Sequence, residues 1–253
     1  MNRSALVIAH PGHELRVFGW YEQARPRLFV LTCGSRSGTH GRLSFSQSLA
    51  EHIGATPGSP FGRYLDRQIY QSLLAGEYAL FVDWTVELSN ALVTLDAALV
   101  VTDSWQMYNV AHDLVHVMAR VASERAAERL GHPIEIVEYM TAPAMHSIAL
   151  PEGHEAFRVE LDEATLTRKK TAAYAWPDLQ QELNDIVATE GLDALRTEIF
   201  RKPIEIALLV RRSDLLPPYD RFGAERVAAG IYRECIRWRH VQPVVEEILR
   251  IRH

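Results

Sequence analysis

Cysteine is scarce in this sequence, and long apolar runs are missing from it. Only Cys33 and Cys235 occur among 253 residues, so no disulfide framework can be built, and a reducing, cytoplasmic location is expected. The apolar run at residues 4–9 stops at His10, which makes it shorter than the roughly 7–15 residues of a signal-peptide core. No stretch approaches the roughly 18 apolar residues of a membrane-spanning helix. These absences favour a soluble globular protein.

The charge balance provides no general attraction to polyanions. Lysine and arginine number 27 against 32 aspartates and glutamates, which gives a formal net charge of −5. We therefore expect no nucleic-acid partner and no membrane partner, but a small-molecule substrate. The 253 residues suffice for one sizeable core and contain no internal repeat or recognisable linker, so residues 1–253 are expected to form a single domain.

Continuous apolar runs near the N-terminus predict buried strands. Ala5–Ala9 and Arg27–Thr32 are apolar at consecutive rather than alternate positions, which is typical of strands covered on both faces. Residues 12–24, between the two runs, have helical spacing. A strand, a helix and a strand within about thirty residues form a βαβ unit, which implies a parallel sheet with a right-handed crossover.

Helical patterns occupy much of the remaining chain. Residues 43–95 are expected to be helical with a break at residues 55–60, and a long helix is expected over Val110–Leu130. The C-terminal third is also predicted to be mostly helical.

Three further strands are predicted between and after these helices. Asp96–Asp103 and Ile134–Glu138 are apolar enough for buried strands, and the alternation in Phe157–Leu161 suits a half-exposed edge. The sequence therefore predicts an α/β fold, with a Rossmann-like, mostly parallel sheet, helices on both faces and a helical C-terminal part.

Clustered histidines follow two of the predicted strands. His10 and His13 come directly after the first strand, and His112 lies at the start of the long helix that follows the third. Since the carboxyl ends of parallel strands share one edge of a sheet, the expected ligand site is formed by residues 10–14, 33–42 and 104–109. Neutral imidazole suits a divalent metal such as zinc, and a catalytic zinc needs three protein ligands and one open position. The residues alone leave a metal site and a chance clustering of the 11 histidines as equal alternatives.

The order of these motifs resembles that of the LmbE/PIG-L-like metal-dependent deacetylases. That family has (Ala or Ser)-His-Pro-Asp-Asp-Glu after its first strand, and Ala9–Glu14 here is Ala-His-Pro-Gly-His-Glu. The family's Thr-Asp-Gly after the second strand corresponds to Thr32–Gly34, and its later His-x-x-His corresponds to Asn109–His112. The resemblance covers most of the chain in order and spacing, with no single motif intact, which indicates a divergent branch.

The resemblance implies roles for individual residues. His10 and His112 match ligands of a zinc or other divalent ion, and His13 stands where the family has a ligand aspartate. Gly12 replaces the family's general-base aspartate, and glycine cannot transfer a proton. Asn109 replaces a histidine that stabilises the tetrahedral intermediate, and its amide could donate to an oxyanion. The implied activity is metal-dependent removal of an N-acyl group, chiefly acetyl, from an amino-sugar-like substrate.

The loss of the aspartate at position 12 requires another proton acceptor. Glu14 and Asp113 are each adjacent in sequence to a proposed ligand, and Glu14 is the slightly favoured base. A purely structural role for Glu14, in which it orders the loop through hydrogen bonds, is favoured over catalysis. Tyr108 could donate a hydrogen bond to an oxyanion.

Further residues are candidates for the substrate pocket. Asp66 lies where the family often has a pocket acid. Trp105 and Tyr108 could line the pocket or could simply pack in the core. An anionic or hydroxyl-rich substrate could be bound in the second loop, whose residues could equally be solvated without a function: Arg36, His40 and Arg42.

Three alternatives stay open at this point. His112 and His116 lie four residues apart on one helix, similar to the zincin His-Glu-x-x-His, although Asp113 stands in place of the glutamate. The chain could also be a relative that has lost deacetylase chemistry and binds a metal or a sugar, or a hydrolase with a different substrate.

Overall fold

The computed structural model describes residues 3–34, 41–141, 154–176, 180, 183–184, 187–188, 191–205 and 217–252, and these contain one mixed sheet of seven strands. The strands are β1 (Ser4–Ile8), β2 (Arg27–Thr32), β3 (Thr56–Tyr64), β4 (Leu99–Asp103), β5 (Glu135–Tyr139), β6 (Glu155–Glu160) and β7 (Thr197–Arg201). Their order is β3-β2-β1-β4-β5-β7-β6, with β1 to β5 parallel and β7 antiparallel to its two neighbours. The predicted mostly parallel sheet is confirmed, and β1 lies in its interior.

The strands are accompanied by α-helices whose bounds lie within the described ranges. They are α1 (Phe18–Ala24), α2 (Gly41–Ile53), α3 (Asp66–Ala75), α4 (Ala79–Leu95), α5 (Val110–Leu130), α6 (Glu163–Tyr174), α7 (Pro218–Ala228) and α8 (Trp238–Arg250). Short 3₁₀ helices cover His13–Val17 and Leu192–Leu195. Within these ranges no helix has the length and apolar character needed to cross a membrane.

Alternate residues of β1 show how helices cover both faces of the sheet. Ala5 and Val7 belong to a core cluster with apolar residues of α4, α5 and α8, whereas Leu6 and Ile8 belong to a second cluster with residues of α1 and α2. All four side chains are fully buried. A strand that is covered on both faces must be apolar at every position, which explains the continuous run in the sequence.

The helical pattern is interrupted at residues 55–60 as predicted, but the interruption is the start of strand β3, which was not predicted. Pro57 and Pro60 disfavoured a strand at this position, since proline cannot donate to a ladder of hydrogen bonds. An edge strand tolerates proline because only one of its sides is paired, and β3 is the edge strand next to β2. Its register is irregular between residues 28 and 32 of β2.

Other elements differ from the prediction in their bounds. The predicted strand at Asp96–Asp103 begins only at Leu99, because Asp96 adopts a left-handed φ of 52° that ends α4. The predicted helix at residues 12–24 is divided into a 3₁₀ helix and α1. Strand β7 lies in the C-terminal third, which was predicted to be mostly helical.

Candidate metal centre

The loops after β1 and β4 meet at one edge of the sheet. β1 pairs in parallel with β4, with Val7 opposite Thr102, so His10 and Asp103 emerge side by side. Helix α5 begins at Val110 and brings His112 to the same edge. This is the carboxyl edge, at which open parallel sheets bind their ligands.

Three imidazole rings converge at this edge. The ring centroids of His10 and His13 are 5.4 Å apart, those of His10 and His112 are 5.2 Å apart, and those of His13 and His112 are 4.5 Å apart. The ring planes are inclined to one another by 64° to 87°, so the rings meet edge to face and do not stack. The structure thus brings together the three residues predicted as ligands, and their binding of a metal stays a prediction.

Each of the three rings is held at its Nδ1 atom by an oxygen. The distances are 2.8 Å from His10 to Thr32 Oγ1, 2.9 Å from His13 to Asp103 Oδ2, and 2.9 Å from His112 to Thr141 Oγ1. Three histidines anchored through the same ring atom have their Nε2 atoms as the nitrogens that could face a common ligand.

The hydroxyls indicate which nitrogen carries the hydrogen. Thr32 donates to the carbonyl oxygen of Ala9 at 3.2 Å, and Thr141 donates to Gln106 Oε1 at 3.0 Å, so each hydroxyl accepts from its histidine. The carboxylate of Asp103 can only accept. In their neutral form all three rings therefore carry hydrogen on Nδ1 and a lone pair on Nε2, which is the arrangement of metal-ligating histidines.

The electrostatic environment keeps one of these rings neutral. Burial lowers the pKa of His112 well below its ordinary value of 6.5, and the neighbouring His13 and His10 lower this pKa further. His112 is accordingly uncharged at pH 7, and neutral imidazole is the form that binds metals.

Asp103 is the site residue that sequence reasoning missed. Its carboxylate is fully buried and accepts hydrogen bonds from the Ala9 backbone N–H at 2.9 Å and from the Tyr139 hydroxyl at 2.8 Å, besides its contact with His13. A nitrogen of His13, an oxygen of Asp103 and a nitrogen of His112 lie within 4.8 Å of one another. An acidic residue at the last position of a buried apolar strand is the signal that could have revealed it.

Glu14 lies beneath the loop that carries His10 and His13. It is fully buried, and its carboxylate accepts from the Gly12 backbone N–H at 2.7 Å and from the Ser46 hydroxyl. Burial raises the pKa of Glu14, and these hydrogen bonds oppose the increase. Both oxygens are engaged in joining the loop to α2, which supports the loop-ordering role over catalysis.

Asp113 performs a similar task for the turn at residues 104–109. Its Oδ1 accepts from the backbone N–H groups of Gln106 at 2.9 Å and Met107 at 3.0 Å, while Oδ2 is buried without a hydrogen-bond partner among the described residues. Burial raises the pKa of Asp113 to about 8, so the side chain is mostly protonated at pH 7. A protonated carboxyl is a poor proton acceptor, which weakens the case for Asp113 as the general base.

The free energy of unfolding of Asp113→Asn, relative to that of the unaltered protein, should increase as the pH rises. The folded state keeps its proton up to about pH 8, whereas an unfolded aspartate loses it near 3.8. The stability contributed by the neutral form is therefore lost between these values as pH increases, at about 1.4 kcal/mol per pH unit at most. Asparagine retains Oδ1 and has no proton to lose. Denaturant unfolding at pH 5, 6, 7 and 8 measures the difference, and a difference independent of pH would contradict the argument.

Two polar residues near the start of α5 could contact a substrate. Asn109 caps the helix, with Oδ1 accepting from the Ala111 backbone N–H at 2.9 Å, so Nδ2 is the Asn109 atom that could donate to an oxyanion. Tyr108 is half-buried, and its ring lies 5.9 Å from that of Phe222 in α7.

The proposed pocket residues are placed differently from one another. Asp66 Oδ1 lies 3.2 Å from His10 Nδ1, so Asp66 contacts a proposed ligand. Burial raises the pKa of Asp66, but its interactions with His10, Thr32 and Arg42 together outweigh that effect and the net shift is downward. The side chain of Arg42 passes close to Gly34 and so lies at the second loop. Arg36 and His40 lie outside the described residues.

Trp105 and His116 are core residues rather than parts of an open pocket. Trp105 is 5% exposed and packs edge to face on His116 and Trp238, with centroids 6.4 Å and 6.1 Å away. His116 is fully buried, its Nδ1 lies 3.1 Å from the carbonyl oxygen of Asp103, and burial lowers its pKa to about 3. These contacts favour packing for Trp105 and do not support the zincin-like pair of His112 and His116.

The donor set fits a divalent ion of the zinc type. Zinc sites use imidazole ligands whose second ring nitrogen is hydrogen-bonded, and each of the three rings here has its Nδ1 bonded to a hydroxyl or a carboxylate. Other divalent ions also accept imidazole, so the donors do not select one metal.

Comparisons with known proteins find similar structures but no matching family model or curated sequence. No protein-family model and no curated protein matches the chain. Among solved structures it is similar to the conserved protein TT1542 from Thermus thermophilus, with a TM-score of 0.51 and 17% identity, covering 81% of this chain and 96% of that one. It is also similar to the A40926 pseudoaglycone deacetylase Dbv21, with a TM-score of 0.47 and 20% identity, covering 81% and 99%.

A third similar structure is the zinc-inhibited form of teicoplanin deacetylase Orf2, with a TM-score of 0.45, 14% identity, and coverage of 74% of this chain and 88% of that one. At such identities a structural likeness speaks for the fold alone. The match to TT1542 therefore supports the conclusion that the sheet and its helices have the α/β architecture of that protein.

Proposed function

We propose that this protein is a metal-dependent hydrolase that removes an N-acyl group from an amino-sugar-like small molecule. The observation that carries the proposal is the convergence of His10, His13 and His112, each with Nδ1 bonded to an oxygen. Core packing alone does not require three imidazole rings to face one another at the end of a sheet. The substrate class follows from the resemblance of the loop motifs to the LmbE/PIG-L-like deacetylases.

In this proposal the three histidines hold the ion through Nε2, with zinc the first candidate. A divalent metal supplies Lewis acidity toward the acyl carbonyl and lowers the pKa of water. Asn109, oriented by its bond to the helix start, directs Nδ2 to developing negative charge, and the Tyr108 hydroxyl is the second candidate donor. Arg42 contributes a positive charge at the second loop, where an anionic or hydroxyl-rich part of the substrate would bind.

A second candidate function is binding of a metal or a sugar without hydrolysis. This candidate is favoured because none of the three residues considered as a general base is well suited to accept a proton. Gly12 has no side chain, both oxygens of Glu14 accept hydrogen bonds inside the protein, and Asp113 is mostly protonated at pH 7. A general base contributes typically 10²–10⁴-fold to a rate, so its loss alone predicts a slow enzyme.

Replacing His112 with alanine should strongly weaken zinc binding. The removal of one of three ligands should weaken affinity by more than the roughly 10–100-fold that follows loss of a residue that merely orients a ligand. His52→Ala is the matched control, because His52 is an exposed histidine of α2. Metal content by elemental analysis and affinity by competition with a chromophoric chelator measure the effect. Equal zinc binding by both variants would remove the metal centre from the proposal.

Acetate release then separates the two candidate functions. The metal-loaded protein is incubated with N-acetylglucosamine derivatives, and acetate is quantified against His112→Ala under identical conditions. Release that depends on His112 supports the hydrolase. Stoichiometric metal without release from any derivative supports binding or a different substrate, and absence of metal uptake contradicts both the hydrolase and metal binding, which leaves only sugar binding.

A further inference from the structure

Asp103 lies at the junction of the candidate metal centre and the sheet core. It is the last residue of β4, its side chain is completely buried, and its Oδ2 lies 2.9 Å from His13 Nδ1. Oδ2 also accepts from the backbone N–H of Ala9, and Oδ1 accepts from the hydroxyl of Tyr139. A carboxylate is therefore fixed in one position directly behind one of the three rings.

The contact between Asp103 and His13 matters because a histidine stands at position 13, where the family that the chain resembles has a ligand aspartate. An aspartate ligand would bring a negative charge to the ion, whereas a neutral imidazole brings none. A carboxylate hydrogen-bonded to the far nitrogen of a ligating histidine increases the basicity of the ring and fixes its orientation. The negative charge that loop 10–14 lacks at position 13 is thus present one hydrogen bond further away.

We propose that Asp103 is the positioning residue of this site, which holds His13 with Nε2 toward the metal and supplies through that ring the charge absent from position 13. This inference rests on the proposed function, because it requires that the three histidines bind a metal. It assigns a role to a residue outside the loop motifs and locates a negative charge beside a site whose three proposed ligands are all histidines.

The hydrogen bonds of Asp103 distinguish positioning from direct coordination. Its two oxygens already accept three hydrogen bonds, of the roughly four that a carboxylate can accept. Oδ2 accepts two of these bonds, so coordination through this oxygen would have to displace the bond from Ala9 or from His13, and a lone pair remains only on Oδ1, which accepts from Tyr139. The network instead leaves the imidazole between the carboxylate and the proposed ion.

The test is a cycle of variants read out as zinc affinity. Asp103→Asn should weaken zinc binding by roughly 10–100-fold, the usual effect of losing the carboxylate behind a ligating histidine. Tyr139→Phe is the matched control, because it removes one hydrogen bond to the same carboxylate and leaves the charge, and its affinity should stay close to that of the unaltered protein. In a His13→Ala background the added Asp103→Asn change should have little further effect, since the ring through which Asp103 acts is gone.

Several outcomes would overturn the inference. Unchanged affinity in Asp103→Asn, an equal loss in Tyr139→Phe, or a full additional loss in the His13→Ala background would each show that Asp103 does not act through His13. If the unaltered protein binds no zinc, the inference fails together with the proposed function, whereas the three results above overturn it while metal binding stands.

A second measurement on the unaltered protein keeps the test decisive if Asp103→Asn does not fold. Nitrogen-15 NMR of the His13 ring should show hydrogen on Nδ1 both before and after zinc is added, with the Nε2 resonance shifting on addition. A zinc-induced shift centred on Nδ1 would contradict the proposed orientation.

Discussion

Replacing Glu198 with alanine is expected to lower the free energy of unfolding by about 3–5 kcal/mol, the usual consequence of removing one partner of a buried ion pair. Glu198 is 2% exposed in β7, and its Oε1 lies 2.9 Å from Lys169 Nζ. The same carboxylate accepts from the backbone N–H groups of Gly19 at 2.9 Å and Trp20 at 3.0 Å, in the first turn of α1. Alanine would leave two backbone donors without their acceptor, and the buried ammonium group would lose its counter-charge while keeping the Arg16 carbonyl oxygen at 3.4 Å.

Arg168, which precedes Lys169 on α6, provides the control for this prediction. Arg168 forms two hydrogen bonds of 2.7 Å with Glu22, but the pair is exposed, so Arg168→Ala should change stability little. Glu198→Gln keeps an oxygen acceptor and should have an intermediate effect. Denaturant unfolding measures all three variants. A loss in Glu198→Ala no larger than that in Arg168→Ala would show that the buried pair does not stabilise the fold.

Restoring an aspartate at position 12 is expected to destabilise the protein without increasing acetate release. Gly12 is buried and has a φ of 104°, a backbone conformation that residues other than glycine rarely adopt. The strain of such a backbone conformation is of the order of 1–3 kcal/mol. The new carboxylate would also lie near that of Glu14, which already accepts from the Gly12 N–H. Loop 10–14 has therefore adapted to glycine, and the substitution alone does not reconstruct a base.

Gly230→Asp is the comparison for Gly12→Asp. Gly230 also has a positive φ, 69°, but it is exposed, and a Cβ there would meet no atom of the described residues within 4 Å. The stability loss at position 12 should exceed that at position 230, as measured by denaturant unfolding together with metal content. If Gly12→Asp folds normally and its acetate release rises, the loop is preorganised for the missing base, and the binding-only candidate should be abandoned.

The central sheet was predictable because its strands are buried on both faces. Ala5–Ala9 and Arg27–Thr32 could be recognised from consecutive apolar residues, and the structure places β1 and β2 within one residue of these bounds. β3 could not be found in this way, because its prolines are tolerated only through its position at the sheet edge, which is a tertiary property. The strand β7 was missed because its sequence, Thr-Glu-Ile-Phe-Arg, has no continuous apolar run like those of β1 and β2.

The candidate site was predictable to the extent that its residues follow strand ends. His10, His13 and His112 could be grouped because parallel strands place their carboxyl ends together. The contribution of Asp103 depends on side-chain hydrogen bonds across strands, which no spacing in the sequence reveals. The hydrogen bonds of Glu14 and Asp113 likewise depend on backbone donors that the fold places around them, so sequence adjacency to a proposed ligand could not reveal that both carboxylates anchor loops.

The two ends of the sheet affect how the protein behaves at high concentration. An exposed strand edge is a template for another chain, and edge-to-edge pairing is a common route to aggregation. At one end, β3 contains Pro57 and Pro60, which have no backbone N–H to donate to an added strand. At the other end, β6 contains the charged residues Glu155, Arg158 and Glu160 within six residues. Charge on one edge and missing donors on the other make both unfavourable for an added strand. The two prolines that kept β3 from being predicted from the sequence thereby also disfavour self-association of the folded protein through this edge of the sheet.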